Sequence, residues 1–295
     1  MHITLLGSRG YVGSVFSNAI KRRGYKLSHV SREICDLYST DSLKRHLSSL
    51  GPDIVINCAG YTGKPNVDAC ELDKKNCLNG NAVLPGIIRD TCEELEIPWG
   101  HVSSGCIFTG TRPDGSGFTE DDEPNFSFRQ NNCSFYSGTK ALGEEILEDA
   151  KSCFIWRLRI PFNNVESNRN YISKLLQYDT LLEAENSLSE LDEFVAAALD
   201  CFELNLPFGI YNLTNPGSIK TSEAASILQE TIASHREFRF FESEDHFMQL
   251  AAKTPRSNCI LDSSKAVNAG LKLTPVRDAF RKALQNWTNE STKSN

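Results

Sequence analysis

Tyr136 and Lys140 open a stretch with helical apolar spacing. Four residues apart, their side chains share one helix face. An ammonium beside a phenol favours the phenolate and is expected to lower the tyrosine pKa. Such a phenol can give its proton to a carbonyl oxygen while hydride arrives at the carbon. Upstream, Ser104 ends an apolar run, and its hydroxyl can hold the same oxygen. Cys106 follows in SGCIF (104–108). Taken singly, each residue has a plainer reading: a surface Tyr/Lys pair, or one more buried thiol among ten cysteines. The ordered set behind an N-terminal glycine turn is far more specific.

The elements that must position these groups alternate along the chain. His2–Leu6 reads as a strand. Gly7, Gly10 and Gly13 follow as G-x-x-G-x-x-G, and VFSNAIKRRG reads as an amphipathic helix stopping at Gly24. Such glycines permit a tight turn, close approach of a pyrophosphate and tight helix–strand packing. The helix start offers unpaired N–H groups to phosphate. Gly7, Ser8, Arg9, Gly10, Tyr11, Val12 and Gly13 are therefore expected to bind a dinucleotide. Ser31 and Arg32 follow a second strand, Lys26–Val30, where an acid would grip a ribose 2′-hydroxyl. A serine and an arginine suit a 2′-phosphate, so NADPH is the expected cofactor, with Glu33 tempering the preference.

Asp53–Cys58 reads as a buried parallel strand. Cys58, Ala59, Gly60 and Tyr61 then form the turn beneath the cofactor. A helix is predicted around Asn81–Glu96, a strand over Pro98–Ser104, a helix over Tyr136–Ala150 and a strand over Cys153–Leu158. The expected fold is α/β: a Rossmann-type doubly wound parallel sheet with a smaller C-terminal substrate-binding lobe. Residues 1–160 form the first unit and 161–295 mainly the second, with a strand near 209–214 returning to the sheet. Ser104 then lies at the carboxyl edge, where ligands sit in such sheets. Leu188–Phe202 reads as an amphipathic helix, for core or dimer contact. Asn212, Thr214 and Asn215 read as a structural turn, and NESTKSN as a frayed tail.

A formal net charge of −7 argues against general nucleic-acid or anionic-membrane binding. No run approaches bilayer-spanning length. No C-x-x-C pair occurs, and no metal is expected. The opening MHITLLGSRG lacks a basic leader. Thiols kept reduced in the cytoplasm are the expectation. A homodimer would be ordinary for such a protein.

These motifs resemble the extended short-chain dehydrogenase/reductases. Within them, the chain is similar to the 4-keto-sugar reductases that include dTDP-4-dehydrorhamnose reductase, and more closely to plant-type nucleotide-rhamnose epimerase-reductases. The resemblance covers nearly the whole chain through AGYTGKPNVDACE (59–71), SGCIF, SGFTEDDEPNF (116–126), SFYSGTKALGEEIL (134–147), NRNYISKLLQY (168–178), YNLTNPG (211–217) and TPRSN (254–258). It implies epimerisation of UDP-4-keto-6-deoxy-glucose at C3 and C5, then reduction at C4 with NADPH to UDP-L-rhamnose. Tyr136, Lys140 and Ser104 would carry the reduction, with Tyr136 and Lys140 also at the cofactor. Cys106 and Lys174 match the acid/base pair proposed for epimerisation, and a cysteine near a lysine is expected to have a lowered pKa and to supply a thiolate. GDP-fucose synthases pair a similar cysteine with histidine, whereas plain reductases usually carry an aromatic there.

Expected sugar-nucleotide contacts are Thr62, Ser104, Gly105, Cys106, Tyr136, Asn163, Arg169, Asn170, Lys174 and Arg256. A guanidinium can bind two phosphate oxygens, which singles out Arg256 for the diphosphate. For Arg169 and Asn170, a capping or surface role weighs equally. Two alternatives stay open: a 4-keto reductase only, or a non-catalytic NADP-binding regulatory subunit. Departures from the family pattern are Gly138, where a larger residue is usual, the loop TGTRPDGSG, and the insertion FRQNNC before the tyrosine helix. Gly138 is expected to affect the helix start and local flexibility.

Overall fold

In the computed structural model, which describes residues 1–288, six parallel strands form the central sheet. They are β1 (His2–Leu6), β2 (Lys26–Val30), β3 (Ile54–Asn57), β4 (Trp99–Ser104), β5 (Cys153–Leu158) and β6 (Gly209–Asn212), in the order β6-β5-β4-β3-β1-β2. Every neighbouring pair is parallel. β1, β3 and β5 are buried along their whole length, as a sheet covered on both faces requires. The winding direction reverses between β1 and β3, opening a crevice at their carboxyl ends.

Helices α1 (Tyr11–Arg22) and α7 (Leu191–Glu203) cover one face, where Phe16, Ile20 and Phe194 pack on Trp156. A β-carbon on Gly100 would meet the Trp156 ring at 2.0 Å, so a side chain in β4 is given up for that indole. On the other face lie α2 (Thr40–Leu50), a long helix formed by α3 (Lys74–Leu78) and α4 (Leu84–Glu94), and α5 (Phe135–Ile146).

The long helix begins two turns before the predicted Asn81. Asp73 caps it, accepting from the Asn76 N–H. A π-helical turn over Asn79–Val83 joins the two parts. Pro85 cannot donate an N–H and crowds the carbonyl four residues back, which a regular α-helix cannot absorb and a widened turn can. That proline and Gly80 hid the first two turns from periodicity. The predicted helix 136–150 stops at Ile146 and unwinds through the bonds Leu147 N to Glu144 O and Ala150 N to Leu147 O. The helix expected from Leu188 begins at Leu191. Ser189–Glu190 is instead paired, in parallel, with Pro161–Phe162.

A second core joins α6 (Tyr171–Gln177), α8 (Thr221–Thr231) and α11 (Val276–Gln285) around Phe162, Ile172, Leu228 and Phe280. Helices α9 (Glu244–Leu250) and α10 (Ser264–Asn268) lie between. The return to the sheet after residue 161 exceeds the single strand expected. α7 packs on the first core, and so does Ala266 of α10. The tail read as frayed, 289–295, lies outside the described residues.

Candidate active site

The glycine turn is built as a closed contact between backbones. Gly7 has φ +76°, and its missing β-carbon would stand 2.5 Å from the Ala59 nitrogen. A β-carbon on Gly13 would stand 2.2 Å from the Gly7 carbonyl. Gly10 caps α1 without a side chain, and no acid occupies the first turn. The helix therefore presents N–H groups and partial positive charge at the sheet's crevice. Ser8, Arg9 and Ser31 line a groove beside it with Lys21 and His29. The Ser31 hydroxyl is buried with no partner among the described residues, a donor well suited to phosphate oxygen. Arg32 is exposed, and Arg9 pairs with Glu33 (Nη1 to Oε1, 2.9 Å). The residues present thus fit a phosphorylated dinucleotide.

Cys58, Ala59, Gly60 and Tyr61 follow β3 at the crevice. Ala59 N–H bonds the Asn57 side chain (2.9 Å). Asn81, buried in the π turn, clamps Tyr61 from both sides. Its Oδ1 accepts from Tyr61 N–H (2.8 Å), and its amide donates to the Tyr61 carbonyl (2.8 Å) and to Thr139 Oγ1 (3.1 Å). The sequence reading placed Asn81 only as a helix start. Asparagine directly after a glycine in a helix was the signal, because its cost there calls for a specific bond.

Ser104 ends β4 and caps a short 3₁₀ turn, Gly105–Ile107, accepting from the Cys106 N–H (3.2 Å). Its hydroxyl neighbours both Tyr136 and the Cys106 thiol and lowers the pKa of each. Ser134 caps α5 by accepting from Ser137 N–H (3.1 Å), which sets Tyr136 and Lys140 on the helix face toward β4. Lys140 is buried and donates to the Val102 carbonyl (3.1 Å). The Tyr136, Ser104, Cys106 and Lys140 group thus converges at the carboxyl edge of β4.

Two electrostatic expectations are overturned. Burial, and then the neighbouring Cys106, push the Tyr136 pKa well above the ordinary value. Burial also raises the Cys106 thiol, against the opposing pull of Ser104, Arg159, Ser137 and Lys140. Desolvation of an anion outweighs nearby cations in so dry a site. Both groups are protonated donors near neutrality. Burial lowers Lys140 and Lys174, and for Lys174 the like charges of Arg169 and Arg256 add to it.

Behind this set lies a network the sequence reading missed. Glu144 takes a buried fork from Arg157 (Nη2 to Oε2 2.8 Å, Nε to Oε2 3.1 Å) and a bond from the Ser103 hydroxyl. Spacing was the available signal: Tyr136, Lys140 and Glu144 share one helix face.

On the lobe side, Lys174 lies in α6, half-buried. Arg169 donates to the Gly63 carbonyl (2.6 Å), beside exposed Thr62. Arg256 forms a fork with Asp68 (2.6 and 2.8 Å). Asn170 is committed to structure: it accepts from Ile172 N–H (3.0 Å) and donates to the carbonyls of Asn163 (2.8 Å) and Val165 (2.7 Å). Asn163 is likewise engaged, with Tyr11 hydroxyl donating to its Oδ1 (3.1 Å) and so tying α1 to the lobe. Asn212 and Asn215 act as structural bonds, as read. Glu71, in the stretch 59–71, accepts from Phe135 N–H (2.7 Å) and Thr254 hydroxyl (3.0 Å), joining three quoted motifs into one wall.

Gly138 has a packing reason. A β-carbon there would lie 2.3 Å from the Phe128 ring, and Phe128 belongs to the insertion FRQNNC. Two departures from the family pattern therefore accommodate each other. All ten cysteines are free. Among the described residues, no group of three or more His, Cys, Asp or Glu side chains is placed to hold a metal ion, and no helix is long and apolar enough to cross a membrane.

The sequence family described as RmlD substrate binding domain matches residues 1–289. The chain is 31% identical over 283 residues to the bifunctional dTDP-4-dehydrorhamnose 3,5-epimerase/dTDP-4-dehydrorhamnose reductase of Arabidopsis thaliana, covering 94% of this chain and 90% of that protein. It is 31% identical to a trifunctional UDP-glucose 4,6-dehydratase/UDP-4-keto-6-deoxy-D-glucose 3,5-epimerase/UDP-4-keto-L-rhamnose-reductase of the same plant, covering 94% of this chain and 41% of that protein. Among solved structures, a UDP-rhamnose synthase from Acanthamoeba polyphaga mimivirus superposes with a TM-score of 0.88 at 25% identity, over 97% of this chain and 100% of that one. A dTDP-4-dehydrorhamnose reductase from Bacillus anthracis in complex with NADP shares the fold (TM-score 0.79, 17% identity, 97% and 98% covered).

Proposed function

The chain belongs to the RmlD substrate binding domain family, and from that premise we propose an NADPH-dependent 4-keto reductase of nucleotide-linked 6-deoxy sugars that also epimerises its substrate beside the ketone. The observation that carries the reading is the grouping of Ser104, Cys106 and Tyr136 at the end of β4. One oxygen position at the edge of β4 can then serve both reactions.

For reduction, bound NADPH supplies hydride to C4. Tyr136, held protonated by burial, gives its phenolic proton to the oxygen that becomes negative. Ser104 holds that oxygen. Lys140 fixes the geometry from below through the Val102 carbonyl. Asn81 holds the Tyr61 backbone against the crevice in which the cofactor would lie.

For epimerisation, a C–H bond flanking the ketone breaks and its electrons move onto the C4 oxygen. Tyr136 and Ser104 stabilise the resulting enediolate. Lys174 is the base, because its depressed pKa leaves more of it as free amine. Cys106 is the acid, because its raised pKa keeps the proton to be delivered. This replaces the thiolate expected from sequence. Arg169 makes its hydrogen bond to a carbonyl, and no carboxylate pairs with it among the described residues, whereas Asp68 occupies Arg256. Arg169 is accordingly the better diphosphate contact.

The test is NADPH oxidation by the purified protein with UDP-4-keto-6-deoxy-glucose generated in place, with the product identified by NMR. UDP-rhamnose is the expected product. A product reduced without epimerisation leaves a reductase only. Tight NADPH binding without any oxidation removes the enzymatic reading of this substrate.

A further inference from the structure

Two arginines stand two residues apart across the end of β5, and they are satisfied differently. Arg157 is 2% exposed and is neutralised by the Glu144 fork. Arg159 is 6% exposed and has no carboxylate partner among the described residues. Its Nη2 donates to two neutral acceptors, the Asn186 side chain and the Ser257 carbonyl. Its Nε–H is buried without a partner among the described residues. An uncompensated buried cation is costly, which is why removing one partner of a buried pair is strongly destabilising. Arg159 therefore sits in a place that calls for an anion.

The groups it faces that can become one are the thiols of Cys106 and Cys259 and the phenol of Tyr171. A β-carbon on Gly105 would lie 3.4 Å from Arg159 Cδ, so the arginine stem runs beneath the backbone that presents the thiol. Cys259, the other thiol that Arg159 faces, donates to the Gly105 carbonyl (3.2 Å) and is 1% exposed, out of reach of a substrate. Cys106 itself faces Ser104 at the end of β4, Tyr136, Ser137 and Lys140 on α5, and Cys133 in the preceding loop. Of the two cations near it, Arg159 exerts the larger effect.

We propose that Arg159 is a positioning residue for Cys106, holding the thiolate left when that thiol has given its proton to the substrate. Its use in turnover rests on the epimerase reading above. There, the amine of Lys174 takes the carbon-bound proton from one face and becomes ammonium. The enediolate electron pair returns to carbon and forms the new C–H bond with the thiol proton. The S–H bond breaks and its electron pair stays on sulfur. Thiolate and ammonium then exchange protons through solvent, and no other reactant is needed. Through this step Arg159 gains the anion its site lacks.

The decisive experiment measures Cys106 alkylation by iodoacetamide across pH in the full chain, read at that residue by mass spectrometry. Arg159→Met should raise the midpoint by about one pH unit, about tenfold less thiolate at a given pH. Arg159→Lys should restore most of the shift. Arg159→Gln keeps a donor for Asn186 without the charge, and gives the same reading should the methionine variant not fold. Deuterium uptake into the epimerised sugar at the carbons flanking the ketone should fall about tenfold, with NADPH binding and reduction of the already epimerised sugar retained. An unchanged alkylation midpoint overturns the proposal, as does a parallel loss of uptake and reduction, which marks a purely structural arginine. A wild-type protein that shows no uptake overturns the epimerase reading instead, while the alkylation midpoint still decides the Arg159–Cys106 coupling.

Discussion

At the scale of single residues, burial decides the protonation states, and these assign the roles. Cys106→Ala should remove deuterium uptake into the epimerised sugar, that is, inversion beside the ketone, and leave 4-keto reduction largely intact. Tyr136→Phe should slow reduction by about 10²-fold or more, the usual contribution of a positioned proton donor, seen in NADPH oxidation with epimerised sugar. Lys174 acts as a base only when neutral. Uptake should therefore rise with pH through a limb lying below the ordinary lysine range, because burial and the charges of Arg169 and Arg256 depress that pKa. Arg169→Gln removes one of the like charges and should move the limb to higher pH. A limb that stays in place would separate Arg169 from Lys174 electrostatically.

At the scale of elements, the tyrosine helix depends on a glycine that is unremarkable as helix chemistry. Glycine costs a helix interior roughly 1 kcal/mol relative to alanine. Alanine at Gly138 should nonetheless destabilise, because its methyl would enter the Phe128 ring. Because the Phe128 ring is 44% exposed and can turn aside, the net loss in denaturant melts is expected to lie at about 1 kcal/mol, the low end for overpacking. Combining it with Phe128→Ala should recover part of that loss, and simple additivity of the two losses would disprove the contact. The expectation that Gly138 loosens the helix start missed this, since ring and glycine are ten positions apart in the chain. The π turn carries the same lesson, because its register is set by Asn81 bonding Tyr61 across the crevice.

At the scale of the whole molecule, Glu190 lies where the two cores meet, beside Leu191 of the first and paired with Phe162 of the second. It caps α7, and its strand pairs with Pro161–Phe162. Burial is the main cause of its pKa being raised to about 7. An unfolded glutamate titrates near about 4.3. Between these values the folded chain holds a proton that the unfolded chain releases, so stability falls as pH rises. The stabilisation is complete below the unfolded value and lost through about pH 7. Glu190→Gln should flatten that slope, measured by denaturant unfolding from pH 4 to 8. A slope identical to wild type would show that Glu190 is not its source.

The glycine turn and the buried parallel strands were legible because local rules govern them, and the same rules single out Ser104, Tyr136 and Lys140 as candidates. Backbone clearance demands glycine, apolar runs mark buried strands, and a four-residue step places two side chains on one helix face. Helix ends were misread where Pro85 and the bulge break the period. The tertiary structure alone decided which charges are compensated. Sequence spacing cannot tell that Arg157 meets Glu144, that Arg256 is held by Asp68, or that Arg159 lies buried without a carboxylate partner among the described residues. Nor can it tell that Tyr136 and Cys106 remain protonated. Desolvation depends on everything packed around a group, and that packing is assembled from segments as distant as residues 104, 136, 159 and 259.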